Sequence, residues 1–536
     1  MTGRLTLTWA NKEKALVSDG QGGYRWVDPD DWRAREIRLL EPVSLVGDAT
    51  GTPSDNLLIR GDGLDAMRSL ARIPEYAEVY RGKVKLVYID PPFNTGQAFE
   101  HYDDSLEHSV WLSMMRERLE VIRELLAPDG SVWVHLDDAE MAYCKVLMDE
   151  VFGRQNFIAT IVWQKADSPR NSARHLSTDQ DYILIYARDA SLWRPVRLGR
   201  TAADDAKYAN PDGDPRGPWL SGDLRANKPY SLGRYSVTGP TGRVFEPPHG
   251  RYWRVSHEAF RSLDADGRIW WGPKGDALPT LKRFLSGVGD LVPRTLWLGK
   301  DVGSNRTSNN EMRALFPSRE AFATPKPERL LERVIHIGSN PGDIVLDAFA
   351  GSGTTVAVAH KMGRRWVTVE QQESTVDTFT RPRLERVVAG SDPGGVTPSV
   401  GWEGGGGFAE LRVAPPVVDV IDRGQGTATV VDLEAEPGRL ERSVAAQLGY
   451  RVDVNPAAPG APRLIGTKGR SRLAVVRGIA DEGLVASLVS QLADDELLFI
   501  AAPMIAPGAR EALRAAVPGG RIIRYPTGFE AAGVAR

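Results

Sequence analysis

Apolar positions along this chain fall into two alternating patterns. Short, nearly unbroken apolar runs predict strands buried on both faces: residues 56–60 (NLLIR), 84–89 (VKLVYI), 131–136 (SVWVHL), 157–163, 181–186 (DYILIY), 343–347 (DIVLD) and 365–370 (RWVTVE). Between them, 64–70, 106–126, 139–151, 327–337, 356–362 and 373–388 read as helices. The longest of these sets Leu112, Met115, Leu119, Ile122, Leu125 and Leu126 at helical spacing and stops at Pro128, Asp129, Gly130. Strand and helix in alternation predict an α/β fold built on a parallel sheet.

The rhythm breaks twice. Residues 190–320 are rich in Gly, Pro, Trp and Arg without a long helical repeat, which predicts an inserted domain; Trp253, Trp270, Trp271 and Trp297 read as its scaffold. Residues 391–410 are rich in Gly and Pro and predict a flexible linker. Beyond it, 473–477, 484–492, 496–501, 509–517 and 521–525 resume the alternation as a small α/β domain over 411–536. The expected organisation is therefore a polar arm at 1–54, sheet-forming halves at 55–189 and 321–390 flanking the 190–320 insertion, the linker, and the small C-terminal domain.

Chemistry concentrates where two strands end. The run 84–89 closes on Asp90, Pro91, Pro92, Phe93. Two prolines stiffen the loop and remove two N–H donors, so it offers acceptors. A carboxylate, a carbonyl and an aromatic face suit a planar amino group on a heteroaromatic ring: Asp90 and the Pro91 carbonyl take its hydrogens and Phe93 stacks on the ring. Alone, the tetrapeptide also suits an ordinary strand-to-helix turn. The second site argues for the chemical reading. Run 343–347 leads into Ala348, Phe349, Ala350, Gly351, Ser352, Gly353, Thr354, a glycine-rich turn that lets backbone approach a ligand at a helix N-terminus. The next strand ends on Glu370, at a spacing suited to ribose hydroxyls. The third glycine of a dinucleotide fingerprint and the lysine of a phosphate loop are both missing, so a nucleoside without phosphates fits better than NAD or ATP.

Together these segments resemble the amino-methylating DNA methyltransferases that use S-adenosylmethionine, whose catalytic tetrapeptide and cofactor loop take these forms. The catalytic loop precedes the cofactor loop by more than two hundred residues, as in the permuted β group. Within it, residues 7–15, 55–64, 84–96, 250–272, 295–303 and 324–355 are most similar to modification subunits of type III restriction-modification systems. The resemblance implies a circularly permuted Rossmann-like methyltransferase fold with an inserted target-recognition domain, and methyl transfer to N6 of a flipped adenine in double-stranded DNA. It implies cofactor contacts from Asp62, Lys326, Asp347, Phe349, Gly351, Gly353, Thr354 and Glu370, with Asp62 equally suited to capping a helix. It also implies a homodimer and a separate ATP-driven restriction (helicase-nuclease) subunit in phage defence. N4-cytosine methylation stays open, since the tetrapeptide serves both amino groups; methylation of RNA or protein leaves the basic insertion unexplained. A non-catalytic DNA-recognition subunit is the alternative from another class.

Composition refines this. The formal net charge of −3 does not mark a nucleic-acid binder, yet residues 165–320 hold 25 Lys/Arg against 18 Asp/Glu, placing the basic excess where target recognition is expected. Candidate DNA contacts are Arg170 and Arg174 in a polar loop and Arg225, Lys228, Arg234, Arg243, Lys274, Lys282 and Arg283 in the insertion. Cys144 is the single cysteine, which excludes internal disulfides and cysteine-rich zinc sites. Methylation at a ring carbon of cytosine generally needs a cysteine nucleophile; transfer to an exocyclic nitrogen needs none. His135, Asp137, Asp138 and Glu140 read as a strand end and the acidic first turn of a helix, so no metal is expected. The polar start and the lack of a long apolar run predict a cytoplasmic protein without membrane spans.

Overall fold

The computed structural model describes residues 5–18, 23–94, 98–99, 102–103, 107–169, 173–319, 322–422, 427–431, 438–453 and 463–525, with positions 98–99, 102–103, 418–422 and 427–431 described as backbone only. It divides into two compact units, Arg197–Pro293 and the remainder.

The larger unit is organised on a ten-stranded sheet. In chain order its strands are β1 (Leu40–Gly47), β2 (Leu57–Arg60), β3 (Val84–Ile89), β4 (Leu126–Leu136), β5 (Phe157–Gln164), β6 (Gln180–Ala187), β7 (Leu296–Trp297), β8 (Ile344–Asp347), β9 (Arg365–Glu370) and β10 (Gly407–Val413), arranged β7-β5-β6-β4-β3-β8-β9-β2-β10-β1. The six strands from β4 to β10 in that order run parallel. They are nearly continuous apolar runs because helices cover both faces. Strand β3 pairs directly with β8, so two segments more than 250 residues apart end side by side at the carboxyl edge of the sheet. That adjacency is where an open α/β sheet forms its crevice.

The main helices are α1 (Gly63–Arg72), α2 (His108–Leu125), α3 (Asn305–Leu315), α4 (Glu328–Gly338), α5 (Thr354–Lys361) and α6 (Arg381–Val388). Helix α1 buries Leu64, Ala66, Met67 and Leu70 on one stripe and is capped by Asp62, which accepts from Leu64 N at 2.8 Å. Buried charges lock α4, α5 and α6 together. Glu328 accepts from Lys361 Nζ at 2.9 Å and Arg383 Nη2 at 2.8 Å; Lys361 also reaches Asp392 at 2.6 Å, and Arg383 Nη1 donates to Thr354 Oγ1 at 2.6 Å. All four charged side chains are buried, so each depends on its partners to offset desolvation.

Several expectations are corrected. The stop at Pro128, Asp129, Gly130 is instead an irregular stretch of β4: Val84 pairs with Leu126 and Leu86 with Ser131. A Cβ on Gly130 would lie 2.7 Å from the Val84 carbonyl, which explains the glycine. The segment read as one helix over 373–388 contains a widened turn at Val376–Thr380; Pro382, at the start of α6, cannot donate to the helical ladder. The expected linker at 391–410 is packed, and Gly407 begins β10. Its glycines permit close approach: a Cβ on Gly406 would lie 3.0 Å from the His360 ring, and His360 Nε2 contacts the Gly405 carbonyl at 2.9 Å. The expected arm contributes β1, antiparallel to β10. Residues 294–319 belong with the sheet rather than the insertion, because Leu296 and Trp297 extend it beside Val162 and Trp163.

The C-terminal region forms a five-stranded sheet from Arg451–Val452, Gly466–Lys468, Ser471–Val475, Leu497–Ala502 and Arg521–Arg524, covered by Glu482–Val489 and Ala509–Ala516. The smaller unit pairs Trp219–Asp223, Thr280–Phe284 and Ile269–Trp270 with the helix His257–Ala265 over a core that includes Trp253, Phe260 and Trp271.

Asp347, the last residue of β8, is buried, and this burial pushes its carboxyl up to about 7; neighbouring Asp90 and Glu370 add to the shift, while hydrogen bonds from Thr355 and Phe349 N oppose it. Its ordinary unfolded value is about 3.9. The folded protein therefore holds a proton that the unfolded chain releases, and this contribution to stability, full below about pH 4, is lost as pH rises to about 7. Asp347→Asn is expected to flatten the decline of the denaturation midpoint between pH 4 and 7, and an unaltered profile would refute the burial argument. Lys361→Met leaves Asp392 a buried carboxylate without its cation and Glu328 with Arg383 alone, and is expected to cost about 3–5 kcal/mol. Chemical denaturation reads this directly; an unchanged midpoint would mean the cluster is not a lock.

Candidate active site

Asp90 leaves β3 beside the end of β8. Its Oδ2 is ion-paired with Lys326 Nζ, whereas Oδ1 is buried and, among the described residues, has no hydrogen-bond partner. A buried acceptor left unsatisfied is costly and marks a place for a donor. The loop around it is fixed from three sides. Trp111 Nε1, on α2, donates to the Pro92 carbonyl at 2.7 Å, which leaves the Pro91 carbonyl as the remaining proline acceptor. Asn94, with φ of 59°, donates through Nδ2 to Glu140 Oε1 at 2.7 Å, and the same oxygen contacts His108 Nδ1 at 2.8 Å. Phe93 stacks on His135, with ring centroids 5.9 Å apart and planes inclined by 22°, and the Lys326 ammonium lies 5.3 Å from its centroid.

The second half of the site rises from β8 and β9. Asp347 Oδ1 accepts from Phe349 N at 3.0 Å. Gly351 and Gly353 both have positive φ, 50° and 74°, and a Cβ on either would crowd the Phe322 ring at 3.2 Å or Thr380 at 3.1 Å. Glu370, ending the neighbouring strand, accepts from Gly351 N at 2.8 Å and Gln372 N at 2.9 Å; burial raises its carboxyl above the usual range. Asp62 accepts from two amides of α1 and pairs with Arg118 Nη2 at 2.6 Å; the Arg118 guanidinium in turn lies 5.7 Å from the Phe349 ring centre.

The structure thus brings Asp90, Pro91, Pro92, Phe93, Lys326, Asp347, Phe349, Gly351, Gly353 and Glu370 to one sheet edge. Asp62 and Thr354 stand at the same edge but are engaged by Arg118 and Arg383 respectively. This donor set fits S-adenosylmethionine: strand-end carboxylates suit ribose hydroxyls and an ammonium, the left-handed glycines clear space, and an aromatic ring stands beside them. Sequence reasoning missed Trp111, Glu140, His108 and Arg118, because each acts through a tertiary contact. The one local signal, the polar stretch His135 to Glu140, divides: His135 contacts Tyr88 Oη at 2.7 Å and Asp181 at 3.3 Å, whereas Glu140 accepts from Asn94 in the loop after Asp90.

The candidate DNA contacts separate by burial. Arg174, Lys228, Arg234, Arg243, Lys274 and Arg283 are exposed, and Arg225 is half-buried against Asp223. Arg170 lies outside the described residues. Lys282 is buried, ion-paired to Asp212 and to Asp214, the latter at 2.9 Å; it serves inside its unit and is withdrawn as a DNA contact.

The chain is similar to DNA methylases of known sequence. The chain is 30% identical over 388 residues to the type III restriction-modification enzyme StyLTI Mod subunit of Salmonella typhimurium, covering 63% of this chain and 57% of that one. It is 30% identical over 402 residues to the type II methyltransferase M.EcaI of Enterobacter cloacae, covering 73% and 79%. The chain thus spans little more than half the length of the type III relative. Among solved structures, the cytosine-N4-specific PvuII DNA methyltransferase aligns at 17% identity over 62% of this chain and 86% of that one, with a TM-score of 0.34. Residues 84–381, from the strand before Asp90 through the start of α6, match the N6_N4_Mtase model, described as DNA methylase. The chain belongs to the N6_N4_Mtase family of DNA methylases.

Proposed function

We propose that this chain transfers a methyl group from S-adenosylmethionine to N6 of an adenine turned out of duplex DNA, as the modification component of a type III-like restriction-modification system. The observation that carries the reading is the buried, unpartnered Oδ1 of Asp90 beside the glycine loop of the neighbouring strand. The bound cofactor supplies an electrophilic methyl carbon on a sulfonium. Asp90 and the Pro91 carbonyl accept the two amino hydrogens of the flipped base. This favours a more tetrahedral nitrogen and aims its lone pair at the methyl carbon. As the N–C bond forms, the C–S bond breaks, and the nitrogen releases one proton toward Asp90. Phe93, held against His135, offers its ring to the base and offsets part of the few kcal/mol needed to unstack it. Lys326, Asp347, Phe349, Gly351, Gly353 and Glu370 hold the cofactor. Asp62 and Thr354 shape its pocket through Arg118 and Arg383.

The unit Arg197–Pro293 reads the target sequence, with Arg225, Lys228, Arg234, Arg243, Lys274 and Arg283 as its contacts, joined by Arg170 and Arg174. The chain acts as a homodimer in the cytoplasm and supplies specificity to a separate restriction subunit. Among the described residues no helix is long and apolar enough to cross a membrane. Adenine is favoured over cytosine by the similarity to type III modification subunits.

Duplex DNA incubated with the protein and S-adenosylmethionine, then digested to nucleosides and analysed by mass spectrometry, is expected to yield N6-methyladenine. Methylcytosine as sole product overturns the adenine assignment, and absence of any methylated nucleoside overturns the enzyme. Asp90→Ala is expected to lower transfer on the order of 10²–10³-fold while cofactor affinity is retained. Full activity in that variant would end this mechanism.

A further inference from the structure

A second groove opens at the same edge of the sheet. Strand β5 is antiparallel to β6, which is antiparallel to β4, so β5 runs with β3 and its last residue points the chain out where Asp90 does. Lys165 follows β5 directly. Three strand spacings, about 14 Å, separate β5 from β3, and the register carries Lys165 further out along the strand direction than Asp90. Helix α3 is docked onto this point: Asn305 N donates to the Lys165 carbonyl at 2.9 Å, and Ser304 and Thr307 form a capping box. Its Met312 and Leu315 pack with Phe316 and Phe379, which orients the other face outward. That face presents Arg306, Asn309, Asn310 and Arg313, spaced so that all four share one side. Together with residues 165–169 it walls a cavity of about 330 Å³.

The lining chemistry is one-sided. Among the described residues, three cations, Lys165, Arg306 and Arg313, stand against one carboxylate, Asp167, with three side-chain amides among them, and the apolar lining is Ala166 and Pro169. Protein-binding surfaces are anchored by aromatic and large apolar side chains, and the described lining of this groove holds none. Guanidinium and amide groups instead match phosphate oxygens. Lys165 is held rigidly by Asp181 at 2.6 Å, whereas Arg306 meets Asp167 only at 3.7 Å with both side chains half exposed, so turning it to a phosphate sacrifices little. Contacts also run from the groove to the catalytic loop: Lys165 to Asp181, Asp181 to His135, and His135 to the Phe93 ring.

We propose that the face of α3 formed by Arg306, Asn309, Asn310 and Arg313, with Lys165, is a phosphodiester-binding groove that holds a DNA strand beside the catalytic edge, independently of the Arg197–Pro293 unit. The proposal rests on the DNA-methylating reading and extends it to a surface outside the target-recognition unit. Because backbone phosphates are the ligand, the contribution does not depend on sequence.

The test is duplex binding by fluorescence anisotropy as a function of salt, with the full-length protein and its Arg306→Ala/Arg313→Ala variant, on methylatable and scrambled duplexes. The wild type is expected to bind both. The variant is expected to bind both at least tenfold more weakly at low salt and to lose about two units from the slope of log affinity against log salt, near 0.9 for each lost phosphate contact. Unaltered thermal melting and S-adenosylmethionine affinity certify its fold. Arg306→Lys/Arg313→Lys is expected to restore the slope, and failure to do so counts against a phosphate ligand. An unchanged slope in the alanine variant overturns the groove, as does weakening confined to one sequence. Wild-type protein that binds no duplex at all overturns the underlying reading instead, so the two failures are distinguishable.

Discussion

The parallel pairing of β3 with β8 is the constraint on which the rest of the structure depends. Each strand alone ends in an acid followed by a loop, an arrangement common to many α/β proteins. Ladder hydrogen bonds between Val84 to Val87 and Ile344 to Leu346 turn two unremarkable strand ends into one crevice. They also place Asp90, Asp347 and Glu370 within mutual electrostatic reach, visible in the way Asp90 and Glu370 raise the Asp347 carboxyl. Sheet hydrogen bonding spans few geometries, so the spacing of these acids is set by the backbone and not left to flexible side chains.

Such a concentration of acids requires compensation, and it arrives from distant segments. Lys326, on the stretch leading into α4, pairs with Asp90; Arg118, on α2, pairs with Asp62. Helix α4 is itself held by Glu328, which gathers Lys361 from α5 and Arg383 from α6. The glycine loop between β8 and α5 is therefore clamped at its far side by the same buried cluster that fixes the segment carrying Lys326. Rigidity of the glycine loop and placement of the cation on Asp90 have a common structural origin.

Much of this was legible in the sequence because it is encoded locally. Nearly continuous apolar runs marked the buried strands, and 365–370 was read to the residue. The two loops carried their chemistry in consecutive residues, so Asp90 to Phe93 and Asp347 to Gly353 needed only register, not tertiary contact, to be recognised. What escaped has the opposite character. Glycines at 404–407 read as a tether because composition cannot distinguish a glycine kept for freedom from one, such as Gly406, where a Cβ would lie 3.0 Å from the His360 ring. Lys282 looked like an exposed cation, but alternation along Thr280–Phe284 turned it inward to Asp212 and Asp214. Glu140 resembled a helix-terminal acid, and only folding revealed Asn94 and His108 on its carboxylate.

The Lys326 ammonium clarifies how one site serves two ligands. It satisfies one oxygen of Asp90, while the other is buried without a hydrogen-bond partner among the described residues. A planar amino group brings two hydrogens, and the loop offers two acceptors for them, Asp90 Oδ1 and the Pro91 carbonyl, since Trp111 has already taken that of Pro92. The lysine therefore need not leave for the first bond to form. Its position 5.3 Å from the Phe93 centroid sets the opposite demand on stacking, because a base laid on that ring must share the space with the cation or displace it. Hydrogen bonding to Asp90 and stacking on Phe93 are thus coupled through one side chain.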